Sequence, residues 1–593
     1  MKTDLDWFEF RDILGKNIND RVWIPLWLYQ TVKSDIKNPE IGHWEDIVFS
    51  RAVAAFDGCK DELMAEECYC FNPYNENRSS RFSGDYLRAD TYYINNIPFG
   101  EFLVLYQDFG RKAAPKVVIN QDLVFALGLV SEGDVWVRPD EGYDVVLKQE
   151  RNAEGEACKV EIKQKYLKDY LCARGMGLVV ATYNERVSIM KDIPQFGWPD
   201  RNGAEKQISE HTRWDGYYQA MDDHGDVNRG KIAVFTNGYK SIKTDDVPRF
   251  NPLSDDGEMY SDSFQVEENP ITRYRVVGEL RKTEWIDPGS TSVRVGDDKE
   301  ASLDFYAEAD GSLKSGEALS FPPQWLWFQN DVINRILHYR GAVLSWYSAQ
   351  TGSIAINADE PIHFGINRLG FVNVYAKDIV TLPRWQQEIW KGCNVTPDGG
   401  VSAELQMSQM QCKPANTVSA EDMFFKILDA FQGGFEWATN GVKLYKDKPP
   451  LDKMRSLIHR FVVQRDEDVY LLAKNIMKYT AESFNLGPIW PIVRKSKDEK
   501  QLGSLKILER FLAQFVDEES AHGIMSPWFF LYDLRVVDVH PKPQDETSET
   551  WLNLGIKPDM IPIAMGEAII RRIAETLYQM LRVLQVEYQK RNP

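Results

Sequence analysis

The spacing of apolar positions changes character along this chain. In the first two hundred residues they come in short runs bounded by Gly, Pro and Asp. Glu101-Phe102-Leu103-Val104-Leu105-Tyr106 and Lys116-Val117-Val118-Ile119 have the β-branched and aromatic content of strands. Asp144-Val145-Val146-Leu147 and Lys159-Val160-Glu161-Ile162 flank a polar turn containing Gly155, which predicts a hairpin. A short helix with Leu167, Tyr170 and Leu171 on one face is expected next. It should end near Gly175, because glycine suits a helix C-terminus, and Leu178-Val179-Val180 then opens another strand.

From about Gly197 to Pro270 the chain is charged and rich in turn residues, notably Pro248-Arg249-Phe250-Asn251-Pro252 and Ser254-Asp255-Asp256-Gly257. That composition predicts long surface loops or a boundary. Tyr274 to Leu280 and Ser292 to Val295 alternate polar and apolar residues, so each is expected to be a strand with one wet face. Trp325-Leu326-Trp327-Phe328, with Trp346 and Tyr347 nearby, reads as a core element, since buried aromatics dominate cores. Asn394 to Asn416 carries Pro397, Gly399, Gly400 and Pro414 and is expected to be a linker.

Beyond it the period becomes helical. Ser419-Ala420-Glu421-Asp422 resembles an N-cap box, and Phe424, Ile427, Leu428 and Phe431 follow at i, i+3, i+4 and i+7. Met454, Leu457, Ile458 and Phe461 repeat that spacing. Leu505, Leu508, Leu512 and Phe515 give a narrower seam, and Ile570, Ile573, Leu577 and Leu584 complete at least four amphipathic helices, enough for an antiparallel bundle. The fold class is therefore α+β. The expected parts are a mixed α/β domain over 1–200, a β-rich middle domain with long loops over 201–415, and a C-terminal helical bundle over 416–593. Several domains agree with a length of 593 residues, more than one hydrophobic core usually supports.

Seventeen Trp, 26 Tyr and 29 Phe supply enough large side chains that no domain should need a metal or a disulfide to fold. The seven cysteines are odd in number and scattered, which fits reduced thiols, and Cys68 and Cys70 are too close together for the usual zinc-ligand spacing. No apolar run approaches the roughly 18 to 20 residues that span a bilayer. Met1-Lys2-Thr3-Asp4-Leu5-Asp6 also has charges where a secretory signal has its apolar core, so a cytoplasmic protein without a membrane partner is expected. The net charge of −19 repels polyanions over distances beyond the screening length and excludes broad coating of DNA. A local basic groove for RNA stays compatible with it, because binding depends on the few phosphates neutralised at the site.

Phosphate loops of the Gly-x-x-x-x-Gly-Lys-Ser/Thr type are missing, and Gly175-Met176-Gly177 lacks the third glycine of a dinucleotide fold and enters a strand instead of a helix. Neither a Gly-x-Ser-x-Gly elbow nor a His-Glu-x-x-His helix occurs, and no cofactor is expected. Two constellations remain. Asp144, followed on the next strand by Glu161-Ile162-Lys163, resembles the PD-(D/E)xK nucleases. That resemblance implies two carboxylates holding Mg²⁺ and a lysine positioning water. The competing reading is a solvated hairpin, whose alternating polar residues produce Glu-x-Lys constantly.

The second lies near the C-terminus. Trp528-Phe529-Phe530-Leu531-Tyr532-Asp533-Leu534 reads as helix packed in the bundle, and Arg535-Val536-Val537-Asp538-Val539-His540 follows. Pro541 disfavours helical geometry at His540, so the helix should stop there and free the imidazole to turn toward the arginine. In a helical C-terminal region, Arg-x4-His resembles the HEPN ribonuclease family. The resemblance implies that His540 acts on the ribose 2′-hydroxyl proton, that Arg535 holds the scissile phosphate, and that two copies pair across a homodimer. It further implies a bacterial antiviral or stress-defence effector restrained by an N-terminal sensing module until an unknown protein trigger arrives. Asp538 is placed to orient either partner. Imidazole titrates near neutrality and guanidinium binds phosphate oxygens in pairs, so such cleavage needs no metal. Two features depart from the family: Val536 stands where a polar residue is common, and His540-Pro541-Lys542-Pro543 stands where helix usually continues. The plainer readings are an i, i+3 pair of Arg535 with Asp538 and a histidine at a helix end, or a non-catalytic scaffold that oligomerises through the bundle.

Overall fold

The β-branched runs of the N-terminal half assemble into one large sheet. The computed structural model describes residues 5–33, 44–70, 82–83, 85–86, 88–107, 116–190, 195–198, 204–221, 232–239, 259–266, 273–300, 302–356, 360–496, 499–537 and 544–591. The chain divides into two compact units, Met1–Lys299 and Glu300–Pro593.

In the first unit the sheet has twelve strands. They are β1 (Trp23–Lys33), β2 (Trp44–Ala55), β3 (Thr91–Ile94), β4 (Ile97–Phe102), β5 (Val130–Glu132) and β6 (Val135–Arg138). Then come β7 (Asp144–Arg151), β8 (Ala157–Lys163), β9 (Gly177–Met190), β10 (Ala204–Ser209), β11 (Thr212–Met221) and β12 (Arg273–Ile286). Their order is β10-β11-β12-β9-β2-β1-β8-β7-β6-β5, with β4 joining β2 and β3 joining β4, and every pairing is antiparallel. The expected hairpin is β7–β8, with Lys148 opposite Glu161. The expected helix is α1 (Gln164–Arg174), which buries Tyr166, Leu167, Tyr170 and Leu171 in a core shared with Ile24, Val146 and Val180. Gly175 closes it with φ of 62°, where a side chain would be strained, and donates its N–H to Cys172 O at 3.1 Å.

Three expectations for this unit need correction. The run Glu101 to Tyr106 divides at the fully buried Leu103, with β4 in the large sheet and Val104–Gln107 pairing instead with Lys116–Ile119. Ser292 to Val295 is a turn, tied by the Asp298 carboxylate accepting the Ser292 N–H at 2.7 Å and by Gly296 N–H donating to Ser292 O at 2.9 Å. The turn-rich stretch from 197 to 270 contains β10, β11 and a separate antiparallel pair, Ile232–Tyr239 with Met259–Val266. Trp214 anchors β11: its buried indole N–H donates to Phe8 O at 2.8 Å, a long-range bond that turn composition cannot signal. The Pro248–Pro252 and Ser254–Gly257 segments lie outside the described residues.

The second unit holds a six-stranded sheet and the helices. Strands β13 (Trp325–Phe328), β14 (Val343–Trp346), β15 (Thr351–Ala355), β16 (Ile362–Ile366), β17 (Val372–Tyr375) and β18 (Asn394–Val395) run in the order β14-β15-β16-β17-β13-β18. Leu326, Phe328, Phe364 and Trp390 form its core as the aromatic run foretold, whereas Tyr347 is exposed. The helices include α2 (Ala420–Ala438), α3 (Leu451–Arg455), α4 (Asp468–Tyr479), α5 (Ser504–Leu512), α6 (Glu518–Val537), α7 (Gln544–Asn553) and α8 (Pro562–Arg591). Phe424, Phe431, Leu472, Leu508, Trp528, Ile573 and Leu577 share their apolar interior. Ser419 caps α2, its Oγ accepting the Asp422 N–H at 3.1 Å.

Two expectations differ here. Residues 394–416 include β18, which pairs with Trp327 and Phe328, and a helix, Ala403–Gln411, with Leu405 buried. The Met454 to Phe461 repeat is helical only to Arg455, because Arg460 turns inward to Glu421. Its backbone N–H and Nε donate to Glu421 Oε1 at 2.9 Å each, and Nη2 donates to Oε2 at 2.7 Å. This swings Phe461 into the sheet core beside Trp346 and Phe364. Gly566 of α8 packs against that turn so closely that a Cβ there would meet Arg460 O at 2.8 Å.

Candidate functional site

Arg535 stands in the last turn of α6. The buried side chains Ala521, Met525, Trp528, Leu531 and Leu534 recur at three- and four-residue intervals and fix the inward stripe of this helix. Arg535, four residues after Leu531, falls at the edge of that stripe, so its long stem lies along apolar surface while the guanidinium reaches out. There Nη1 forms an ion pair with Glu482 Oε1, the two side chains being 36% and 32% exposed. Glu482 follows α4, and its N–H donates to Met477 O at 3.1 Å. Among the described residues the acid paired with Arg535 thus lies 53 positions earlier, which the sequence reading missed; no local spacing announces it. Asp538 and His540, the other members of this constellation, lie outside the described residues.

On the β7–β8 hairpin the structure brings Asp144 and Lys163 together, whereas Glu161 is engaged by other residues. Lys163 Nζ bonds Asp144 Oδ1, and Tyr166 OH lies 2.8 Å from Asp144 Oδ2 and 2.9 Å from Glu141 Oε2. Lys165 Nζ is 3.6 Å from the same Asp144 oxygen. Glu161 lies between two other lysines, Lys159 Nζ at 2.9 Å from Oε1 and Lys148 Nζ at 3.0 Å from Oε2. Trp23, opposite Lys163 in the register, has Lys148 Nζ 4.6 Å and Lys163 Nζ 5.5 Å from its ring centroid. Burial raises the Asp144 pKa, but the Lys163 and Tyr166 hydrogen bonds outweigh it and hold the carboxyl below its usual range. Burial likewise drives the Tyr166 phenol far above its usual value, with the Glu141 and Asp144 charges adding to the effect, so it remains a donor. Every oxygen of Asp144 and Glu161 therefore faces an ammonium or a hydroxyl. A divalent cation would meet those ammonium charges before it met two free carboxylates. Among the described residues no group of three His, Cys, Asp or Glu side chains is placed to hold a metal ion.

Neither family models, curated proteins nor solved structures gave a match to this chain. Among the described residues no helix is long and apolar enough to cross a membrane.

Proposed function

We propose that the helical part of the second unit binds RNA and cleaves it without a metal, in the manner of the HEPN ribonucleases, through Arg535 and His540 with Asp538 orienting them. One observation carries the reading: Arg535 is a partly exposed guanidinium at the end of a helix whose other face is buried, paired there with the Glu482 carboxylate. Such a group offers two parallel N–H donors to a phosphate once Glu482 yields. In the proposed step the His540 imidazole removes the 2′-hydroxyl proton and the 2′-oxygen attacks the adjacent phosphorus. The bond to the 5′-oxygen breaks, and that oxygen takes up a proton. The products are a 2′,3′-cyclic phosphate and a 5′-hydroxyl end, with the phosphorane charge met by Arg535.

Pure protein incubated with transfer RNA and total RNA in EDTA tests this. Cleavage that leaves cyclic phosphate ends, and is lost in both Arg535→Ala and His540→Ala, is expected. The proposal fails if no RNA is cut and His540→Ala alters neither RNA binding nor toxicity in cells. Activity that appears only with Mg²⁺ and vanishes in Lys163→Ala would move the site to Asp144, Glu161 and Lys163.

A further inference from the structure

Beside β4 the first unit holds a cavity of about 480 Å³, a size that small-molecule ligands occupy. Its walls come from the turn before β3, from Glu101 of β4, from Leu105 and the Val118–Asp122 segment, and from Arg174 and Met176 at the end of α1 and just beyond it. Most of that wall is polar, and nearly all of its polar groups are already engaged. Arg88 donates from Nε to Asp90 Oδ1 at 2.9 Å and from Nη2 to Oδ2 at 2.5 Å. Arg174 holds Asp122 in the same forked way, at 2.8 and 2.7 Å, and the Tyr170 hydroxyl donates to Asp122 at 2.9 Å. The side-chain amides of Asn120 and Gln121 donate to Phe102 O and Ile119 O, each at 3.0 Å.

Glu101 is the exception. Among the described residues its carboxylate has neither a hydrogen bond nor an ion pair. Alternation along β4 turns Phe102 into the core and Glu101 to the opposite side, on the cavity wall. Glu101 is half-buried, and its oxygens are not among the unpartnered side-chain atoms sealed from water. Burial raises its pKa and the Asp90 and Asp122 charges add to that, against the pull of Arg88 and Arg174. The wall carries two guanidiniums, of Arg88 and Arg174, against three carboxylates, of Asp90, Glu101 and Asp122. One negative charge is therefore left over on it. An anion entering here would meet that charge and two arginines already bound to aspartates, whereas a cation would meet a free carboxylate.

We propose that this cavity is a binding site for a small primary amine in its ammonium form, whose N–H groups donate to the Glu101 carboxylate. Bound there, a monocation brings the wall to neutrality and supplies the donors that this carboxylate lacks. Hydrogen bonds between two charged groups are about twice as strong as neutral ones, and partial burial strengthens them further. Leu105, Val118 and Met176 leave room on the same wall for a short hydrocarbon chain. The proposal stands independently of RNA cleavage, since Arg535 belongs to the other unit.

Calorimetric titration of the full-length protein with butylammonium, 1-butanol and butyrate, near neutral pH and at matched ionic strength, tests it. The probes share one hydrocarbon chain and differ in the charge of the head group. Butylammonium should bind at least about tenfold more tightly than 1-butanol, the ratio that one hydrogen bond to a charged group gives. In Glu101→Gln that preference should vanish, and crystals soaked in butylammonium should show its nitrogen against Glu101. Equal affinity for butylammonium and 1-butanol overturns the proposal, as does failure of butylammonium to bind or an undiminished preference in Glu101→Gln. Tighter binding of butyrate also overturns it, because the arginines would then be the docking groups. The soaked crystals decide the matter even if Glu101→Gln does not fold: an amine found only elsewhere on this acidic protein refutes the assignment.

Discussion

Replacing His459 with Gln should flatten the acid limb of the stability curve. Burial keeps the folded imidazole neutral and lowers its pKa from 6.5 to about 4, although the Glu421 charge and the Ser456 carbonyl both favour the proton. The unfolded chain takes up this proton near 6.5. Between there and about pH 4 the unfolded state binds more protons than the folded one, so stability falls as the pH drops through that window and the loss is complete below it. At about 1.4 kcal/mol for each pH unit, the full span is worth about 3 kcal/mol. About 2 kcal/mol of that should be gone by about pH 5. Glutamine has no proton to gain and can donate the same bond to Ser456 O. Urea unfolding of both full-length proteins, at about pH 7.5, 6 and 5, should therefore show their free-energy difference shifting by about 2 kcal/mol in favour of His459→Gln on acidification. Parallel curves would refute the reasoning, since they would mean that His459 gains its proton folded as readily as unfolded.

Arg460→Met should destabilise the protein by about 3 to 5 kcal/mol, because it strands the buried Glu421 carboxylate. The double variant with Glu421→Gln should recover much of the loss, and strictly additive losses in denaturant titrations would contradict this. Ser419→Ala removes the cap on α2 and should cost about 1 kcal/mol, with Ser419→Asn close to neutral by the same measurement. Lys163→Met removes one of the donors that depress Asp144, whose stabilising effect is present above the unfolded carboxyl pKa and lost as pH falls through the folded one. The variant should lose about 1 kcal/mol near neutrality and match the natural protein in acid, as pH-dependent melting would report. Glu482→Gln should tighten RNA binding and steepen its dependence on salt, as read by filter binding across a salt series.

The sequence foretold elements wherever one chain segment decides its own shape. The β7–β8 hairpin, α1 with its glycine cap, the Ser419 cap and the helical Trp528–Leu534 segment of α6 all follow from residues within a turn or two of one another. What misled was long-range. Met454, Leu457, Ile458 and Phe461 keep helical spacing, yet the helix ends at Arg455 because Glu421, far upstream, captures Arg460. The polar, glycine-rich look of 197–270 conceals β11, which Trp214 fastens to Phe8 across some two hundred positions. The candidate sites divide in the same way. The hairpin carries Asp144, Glu161 and Lys163 on adjacent strands and joins Asp144 to Lys163, and local spacing sufficed to find them. Their state of ionic pairing depends on Lys148, Lys159 and Tyr166, which no motif includes.

Arg535 carries a consequence for any RNA that binds it. The chain bears a net charge of −19, and this guanidinium is already joined to a carboxylate. A phosphate taking that place releases a counterion from the RNA, but it also sets free Glu482, which gathers a cation in turn. The net release at this contact is then near zero, against about 0.7 ion for each phosphate neutralised on a single strand. Affinity would come weakly from Arg535, and its value would lie in orientation, as the chemistry of a scissile phosphate requires. Removing the Glu482 charge separates the two effects. If Arg535 meets phosphate, Glu482→Gln should add about 0.7 to the magnitude of the logarithmic salt slope. A slope identical to that of the natural protein would mean that RNA, where it binds at all, does not reach this arginine.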